Sequence, residues 1–132
     1  HKFFRLKIPS SYISDPHLQF MSANSLERND VVVAISQSGT TTALIESVKI
    51  VRKNGAKVIG IMPGETPLAN ICDFPLTINV GINNRISKPV TSRIAYTAVI
   101  DVLTMGVAQL KPEAQDHLYN IADSQRSLKI DN

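Results

Sequence analysis

The chain has 132 residues, a formal net charge of +3, and 19% charged beside 43% hydrophobic residues. This composition is typical of a soluble globular protein, and the length suits one domain. Lysine and arginine form no stripe of the kind that nucleic-acid-binding faces carry, so the chain itself is not expected to contact nucleic acid. The single cysteine, Cys72, excludes an internal disulfide, and no run of about twenty apolar residues predicts a membrane span. We therefore expect a cytoplasmic protein without a metal or cofactor.

The first 26 residues predict the end of one helix, a short strand and a second helix. Residues 1–7 mix aromatic and basic residues, as the last turns of an amphipathic helix do, so the chain is expected to be part of a longer protein. Residues 10–14 predict a short strand. Asp15 and Pro16 predict a helix start, because Asp caps free amides and Pro fits the first helical position, and this helix is expected to reach Leu26.

The next segment predicts a buried strand followed by an amphipathic helix. Residues 31–35 are wholly apolar and mostly β-branched, which indicates a strand buried on both faces. Residues 41–54 have helical periodicity, and Gly55 is a typical C-terminal stop. The apolar stripe of this helix consists of Leu44, Val48 and Val51.

Strands and helices continue to alternate in the second half of the chain. Strands are predicted at residues 57–61 and 74–80, with a short helix at 66–71 between them and a polar loop after them. Residues 90–110 predict a long helix that is apolar almost all round, which favours central burial or an oligomer interface. A last helix is predicted from Pro112 to about Leu128.

This alternation predicts an α/β fold, namely a three-layer α/β/α sandwich with a mostly parallel sheet and flavodoxin-like or Rossmann-like winding. Arg93 and Asp101 argue against a lipid environment for the long helix. Open parallel sheets bind ligands beyond the carboxyl ends of their strands, so the loops there are the first place to search for a site.

One such loop, which we call the hydroxyl loop, joins the buried strand to the amphipathic helix. Its residues are Ser36, Gln37, Ser38, Gly39, Thr40 and Thr41. Gly39 permits a tight turn, the other side chains are neutral hydrogen-bonding groups, and the following helix presents free amides and the positive end of its dipole. Such donors suit a phosphate dianion, whereas an apolar or cationic ligand would gain nothing from them.

The same residues also suit a plain turn and helix cap, and that reading stays open. A cap needs only one hydroxyl, whereas residues 36–42 carry five, and this excess favours a ligand. The loop lacks the glycine spacing of a dinucleotide fingerprint and the lysine of a P-loop. It also lacks the order of a nucleophile elbow.

Residues 34–41 resemble the Ser-x-Ser-Gly-x-Thr signature of the SIS (sugar isomerase) domain, which binds phosphosugars. Further segments resemble the SIS domains of RpiR-type bacterial transcription regulators: residues 15–23, 29–33, 55–61, 67–69, 91–95 and 100–103. The Lys2-Phe3-Phe4-Arg5 opening is similar to the HexR-like branch of that family. The resemblance covers nearly the whole chain and implies that residues 1–132 are one SIS domain.

The resemblance implies a sensor of a sugar phosphate whose phosphate is held by Ser36, Gln37, Ser38 and Thr41. It implies a homodimer or higher oligomer, and DNA binding only through an N-terminal helix-turn-helix that this sequence does not contain. Through the HexR-like branch, ketodeoxy-phosphogluconate is a candidate ligand, with amino-sugar and pentose phosphates open. The family's first strand, with its Gly-x-Gly-x-Ser loop, is expected before His1 and is missing here.

The alternative is a sugar-phosphate isomerase that interconverts aldose and ketose, or a fragment of one. SIS isomerases often place a glutamate before the long helix, and an isomerase needs a base to move a proton between carbons. Residues 83–89 contain no acid, which favours a sensor without catalytic residues, and Glu65 is the nearest alternative base.

Overall fold

The computed structural model describes residues 2–80 and 88–126 of the chain. They form two compact units: one comprises Ile13–Tyr96, and the other is built from the two ends of the chain, up to Tyr12 and from Thr97 onward.

The larger unit contains a parallel sheet with the strand order β1-β2-β3. Its elements in chain order are α1 (Pro16–Ser25), β1 (Val31–Ile35), α2 (Thr42–Lys53), β2 (Lys57–Met62), α3 (Pro67–Ile71), β3 (Phe74–Thr77) and the first part of α4 (Lys88–Leu110). Val31 pairs with Lys57, and Ile59 pairs with Phe74, so both ladders are parallel and in sequence order. The predicted α/β class is confirmed, with helices flanking a parallel sheet.

One face of the sheet packs against α1, α2 and α3. Because strand side chains alternate between faces, Val32, Ala34, Val58 and Met62 belong to this layer, while Ile61 belongs to the other. The buried residues of the cluster are Ala23, Ala34, Val48, Val51, Ala56, Val58, Met62 and Leu68. Two of the three residues of the predicted stripe on α2, Val48 and Val51, are therefore core residues, and Leu44 packs against them.

The strand predicted at residues 10–14 is wrong, because this segment has no regular structure and the Tyr12 side chain is 88% exposed. It pairs with no described strand, and the carbonyl of Ile13 accepts a hydrogen bond from Gln19 Nε2 at 3.1 Å instead. Strand β3 ends at Thr77 rather than residue 80. Beyond it, the Asn79 side chain accepts a hydrogen bond from the Gly64 amide at 3.0 Å, which ties this segment to the β2–α3 loop.

The smaller unit contains a 3-10 turn at Phe4–Leu6, the rest of α4, and α5 (Pro112–Arg126). The turn replaces the predicted end of an amphipathic helix, because Lys7 adopts a left-handed conformation with φ 56° and stops it. Leu6 and Ala108 are buried in a small cluster with Ile8, Val107 and Leu118 around them. Lys2 and Asp101 form an ion pair. The predicted end of α5 near residue 128, like most of the polar loop, lies outside the described residues.

The prediction that α4 is centrally buried is wrong, since Val102 is 71% exposed and Met105 is 61% exposed. The stretch Val90–Leu110 is long and apolar enough to cross a membrane by length and composition alone. Arg93 and Asp101 interrupt that stretch with charge. The alternative expectation for this helix, an oligomer interface, stays a prediction.

Candidate functional site

The hydroxyl loop lies at the carboxyl edge of the sheet and is anchored there by Ser36. The Ser36 amide donates to the carbonyl of Ile61 at 3.0 Å, which extends the β1–β2 ladder by one residue. Its carbonyl accepts from the Tyr96 hydroxyl at 3.3 Å, and its Oγ accepts from the Gly39 amide at 3.0 Å. With 7% of its surface exposed, Ser36 shapes the loop from inside.

Tyr96 lies on α4 and is itself buried, so its hydroxyl needs a hydrogen-bond partner in the interior. Burial raises the pKa of Tyr96 above its usual value, and the side chain stays a neutral donor. Nothing in the local sequence around residue 96 predicts this contact, because the two partners are sixty positions apart.

Gly39 is required by both backbone and packing. Its φ of 65° is left-handed, where side chains with a Cβ are strained, and a methyl group built on it would overlap the Thr66 hydroxyl and lie 2.5 Å from Thr66 Cβ. Its carbonyl accepts from the Leu68 amide at 3.1 Å. The loop is thus fastened to the start of α3, which the sequence did not reveal.

Ser38 and Thr40 form the exposed tip of the loop. Ser38 Oγ accepts two hydrogen bonds, from the Thr40 amide at 3.2 Å and from Thr40 Oγ1 at 3.0 Å. A serine hydroxyl has one proton and two acceptor sites, so Ser38 is left with its proton to donate. Gln37 and Thr41 are also exposed, which makes four of the six predicted residues accessible from solvent.

The starts of α1, α2 and α3 differ in capping. In α1, Asp15 Oδ1 accepts from the Leu18 amide at 3.0 Å, and in α3, Thr66 Oγ1 accepts from the Ala69 amide at 3.3 Å. Helix α2 has Thr41 at its N-cap without any side-chain cap hydrogen bond. The first amides of a helix have no intrahelical acceptor, so those of α2 are open to water or an anion.

A cleft of about 480 Å³ lies beside the loop, between the starts of α1 and α2. Its lining residues are Ser14, Pro16, Gln19, Ile35, Ser36, Gln37, Ser38, Thr41, Ala43 and Leu44. None of these side chains is charged. The volume lies within the range of small-molecule sites, and the polar groups are concentrated on the loop side.

A slightly larger cleft, of about 520 Å³, lies at the other end of α2 and is basic. It is lined by Arg28, Asn29, Lys53, Asn54, Gly55 and Lys57. Its cations are explained without a ligand, because basic side chains are favoured beside the negative end of a helix dipole. We assign the candidate site to the hydroxyl loop, where amides rather than side-chain charges are left without acceptors.

The remaining residues singled out from the sequence do not join this site. Glu65 is exposed, has a left-handed φ of 55°, and does not line the cleft. Burial, and after it the nearby Asp73, raises the pKa of Cys72, which keeps this half-buried thiol protonated. Within residues 2–80 and 88–126, no group of His, Cys, Asp and Glu side chains is placed to hold a metal. The acid-free segment considered for an isomerase lies mostly outside the described residues.

The fold and the loop together define a parallel α/β protein with a candidate ligand site at the carboxyl edge of its sheet. The sequence pattern of the SIS domain matches residues 1–106. The chain belongs to the SIS domain family, as the sequence resemblance predicted.

Two curated relatives of this chain are transcription regulators. The chain is 35% identical over 132 residues to the HTH-type transcriptional regulator HexR of Escherichia coli K12, covering 99% of this chain and 46% of that protein. It is 31% identical over 114 residues to the HTH-type transcriptional regulator RpiR of the same organism, covering 86% of this chain and 38% of that protein. The chain therefore spans less than half the length of these curated relatives.

Among solved structures, the Vibrio vulnificus NanR protein complexed with ManNAc-6P superposes with a TM-score of 0.84 at 21% identity. The match covers 98% of this chain and 50% of that chain. At this level of identity the likeness supports the fold.

Proposed function

We propose that this chain is the phosphosugar-binding sensor domain of an RpiR-type transcription regulator, with the phosphate held by Ser36, Gln37, Ser38, Gly39, Thr40 and Thr41. The contrast among the helix starts carries the proposal: α2 follows four hydroxyl side chains and yet lacks a side-chain cap. Local capping alone would have used one of them, as α1 and α3 do. An anion at this position satisfies the open amides and is favoured by the helix dipole.

The residues of the loop divide the work. Ser36 and Gly39 hold the backbone in place, because both are buried and bonded to other parts of the unit. Ser38 donates its free proton to the phosphate, and the exposed Gln37, Thr40 and Thr41 surround it. Since these side chains carry no charge, phosphate selectivity arises from fixed donors, and its pH dependence follows the ligand's own ionisation.

A sensor is favoured over an isomerase by the relatives and by the cleft. The relatives named above are HTH-type transcriptional regulators. Among the described residues that line the cleft, none is an acid or base able to abstract a proton from a carbon, and Glu65 does not line it. We therefore assign no catalytic residue to this chain, and ketodeoxy-phosphogluconate remains one candidate ligand among sugar phosphates.

Regulation would operate in a longer cytoplasmic protein through a helix-turn-helix N-terminal to this domain. Strand β1 is at the edge of the three-stranded sheet, and Val31 and Ile35 are exposed on it. We propose that the family's first strand pairs there. The exposed apolar residues of α4, such as Val102 and Met105, would pack in a homodimer whose geometry changes when ligand selects one of its states.

The test is the affinity of the Ser38→Ala variant for a sugar phosphate, measured by calorimetry. One hydrogen bond to a charged group is worth about 1.5–3 kcal/mol, so we expect affinity to fall about ten- to a hundredfold. The loss should be the same at every pH above the second ionisation of the phosphate, because the Ser38 hydroxyl does not titrate there.

Two matched variants control for general effects. Ser25→Ala removes an exposed hydroxyl that donates only to the Met21 carbonyl, and Lys53→Gln removes a cation from the basic cleft at the other end of α2. Both are expected to bind within about twofold of the parent. Equal affinity of Ser38→Ala and parent would refute the phosphate loop, and a large loss in Lys53→Gln would move the site to the basic cleft.

A further inference from the structure

The cleft beside the hydroxyl loop has a second polar element besides the loop itself. Gln19, in α1, lines it together with the neighbouring Ser14 and Pro16. The rest of its lining outside the loop is apolar: Ile35, Ala43 and Leu44. A ligand whose phosphate rests on the loop would have its remaining atoms in this cleft, with Gln19 as the polar group from another helix.

The amide of Gln19 is fixed in one orientation. Its Nε2 donates to the carbonyl of Ile13 at 3.1 Å, and a carbonyl oxygen can only accept, so the NH₂ group must occupy that side. Oε1 is thereby left as an acceptor, and it has no hydrogen-bond partner among the residues that the structure describes. The side chain is half-buried, and Oε1 is open to the cleft, where water or a ligand hydroxyl can donate to it.

A fixed acceptor selects its partner by chemistry. It repels phosphate oxygens and pairs with O–H donors, which a sugar carries in abundance. The apolar side chains around it suit the C–H face of a sugar ring, and the described lining residues, which are all uncharged, favour a neutral polyol there. These features match the part of a sugar phosphate that the hydroxyl loop does not bind.

We propose that Gln19 is a specificity residue that accepts a hydrogen bond from a sugar hydroxyl through Oε1, while the hydroxyl loop holds the phosphate. This inference rests on the proposed function and adds the group that distinguishes a phosphosugar from a simple alkyl phosphate. It also assigns a role to the irregular segment at residues 10–14, because the Ile13 carbonyl in that segment orients the Gln19 side-chain amide.

The experiment compares two kinds of probe on the protein and its Gln19→Leu variant. One is methyl phosphate, which has no hydroxyl beyond the phosphate, and the other is the tightest binder among glucose 6-phosphate, arabinose 5-phosphate and N-acetylmannosamine 6-phosphate. We expect Gln19→Leu to weaken the sugar phosphate about five- to tenfold, the range of one neutral hydrogen bond, and to leave methyl phosphate within about twofold. Asn24→Leu is the matched control, since Asn24 is an exposed amide on α1 that donates to the Phe20 carbonyl away from the cleft.

The two probes also separate the possible failures. Equal loss for both probes in Gln19→Leu would overturn the inference, because Gln19 would then act only by supporting the fold. So would parent affinities for the sugar phosphates no better than for methyl phosphate, or an unchanged sugar-phosphate affinity in the variant. If Ser38→Ala leaves methyl phosphate binding unchanged, the phosphate loop itself is wrong, and the proposed function fails first.

Discussion

The two ends of the parallel sheet differ in charge: the amino end carries paired charged side chains, and the carboxyl end carries uncharged hydrogen-bond donors. At the amino end, Asp73 is paired with two basic side chains, Lys57 at 3.3 Å and Arg52 at 3.8 Å. Its carboxylate also accepts a hydrogen bond from the Val58 amide at 2.9 Å. At the carboxyl end, the hydroxyl loop is neutral, yet α2 starts there without a side-chain cap. The comparison teaches that the candidate anion site is marked by unsatisfied donors and not by positive side chains.

The largest expected effect comes from Gly39→Ala, which would disturb the backbone conformation of the hydroxyl loop at the carboxyl end. The left-handed φ and the overlap with Thr66 should lower the free energy of unfolding by about 3 kcal/mol, measured by urea denaturation. Phosphate affinity should fall with it, because the donors of Ser38 and Thr40 move.

The control for that change is Gly106→Ala in α4, where a methyl group meets nothing within 4 Å. Alanine is the better helix former, so this variant should gain up to about 1 kcal/mol. A Gly39→Ala variant as stable as the parent would show that the hydroxyl loop does not need its present conformation.

A smaller effect is expected when the loop loses its support from α4 in Tyr96→Phe. The Ser36 carbonyl would lose its donor, and the free energy of unfolding should fall by about 1 kcal/mol. Sugar-phosphate affinity should fall only a fewfold, because the ligand donors themselves remain. Replacing Tyr119, which is exposed on α5, with Phe should change neither quantity. An unchanged stability in Tyr96→Phe would exclude this hydroxyl as an anchor of the loop.

The smallest effect concerns the amino end and appears only in acid. The hydrogen bond from the Val58 amide, aided by Lys57 and Arg52, lowers the pKa of Asp73 below its usual value. A lowered pKa means that the carboxylate stabilises the fold above its ordinary pKa, near 3.8, and that this contribution disappears as pH falls through the lowered value.

Chemical denaturation between pH 6 and pH 2.5 measures this contribution. The parent should lose stability over the acid part of the range more steeply than Asp73→Asn, while phosphate-site variants follow the parent. Glu46→Gln, which removes an exposed carboxylate paired with Lys49, is the matched control for loss of a surface charge. If the free energy of unfolding depends on pH in the same way for the parent and Asp73→Asn, Asp73 does not stabilise the amino end as an ionised carboxylate.

Local rules in the sequence determined most of the larger unit. The apolar, β-branched run Val31–Ile35 predicted a strand, and this strand forms. Its predicted burial on both faces is wrong, because β1 is at the edge of the described sheet and Val31 and Ile35 are exposed. Asp15-Pro16 and Thr66-Pro67 are helix starts whose caps form as expected. The position of the hydroxyl loop followed from the same rules, because a loop between a parallel strand and a helix must lie at the carboxyl edge. The strand predicted at residues 10–14 failed because a strand depends on a partner, which a local pattern cannot supply.

Only the tertiary structure decided which hydroxyl groups of the loop are buried and support its backbone, and which are exposed and can reach a ligand. The sequence assigned Ser36 and Ser38 the same task, yet Ser36 is buried and bonded to Tyr96 and Gly39, while Ser38 keeps a free proton at the surface. The close packing of Thr66 against Gly39, which leaves no room for a Cβ, and the fixed amide of Gln19 likewise depend on distant or irregular segments. A sequence pattern records which donors are present, but the packing of other segments determines which of them remain unsatisfied.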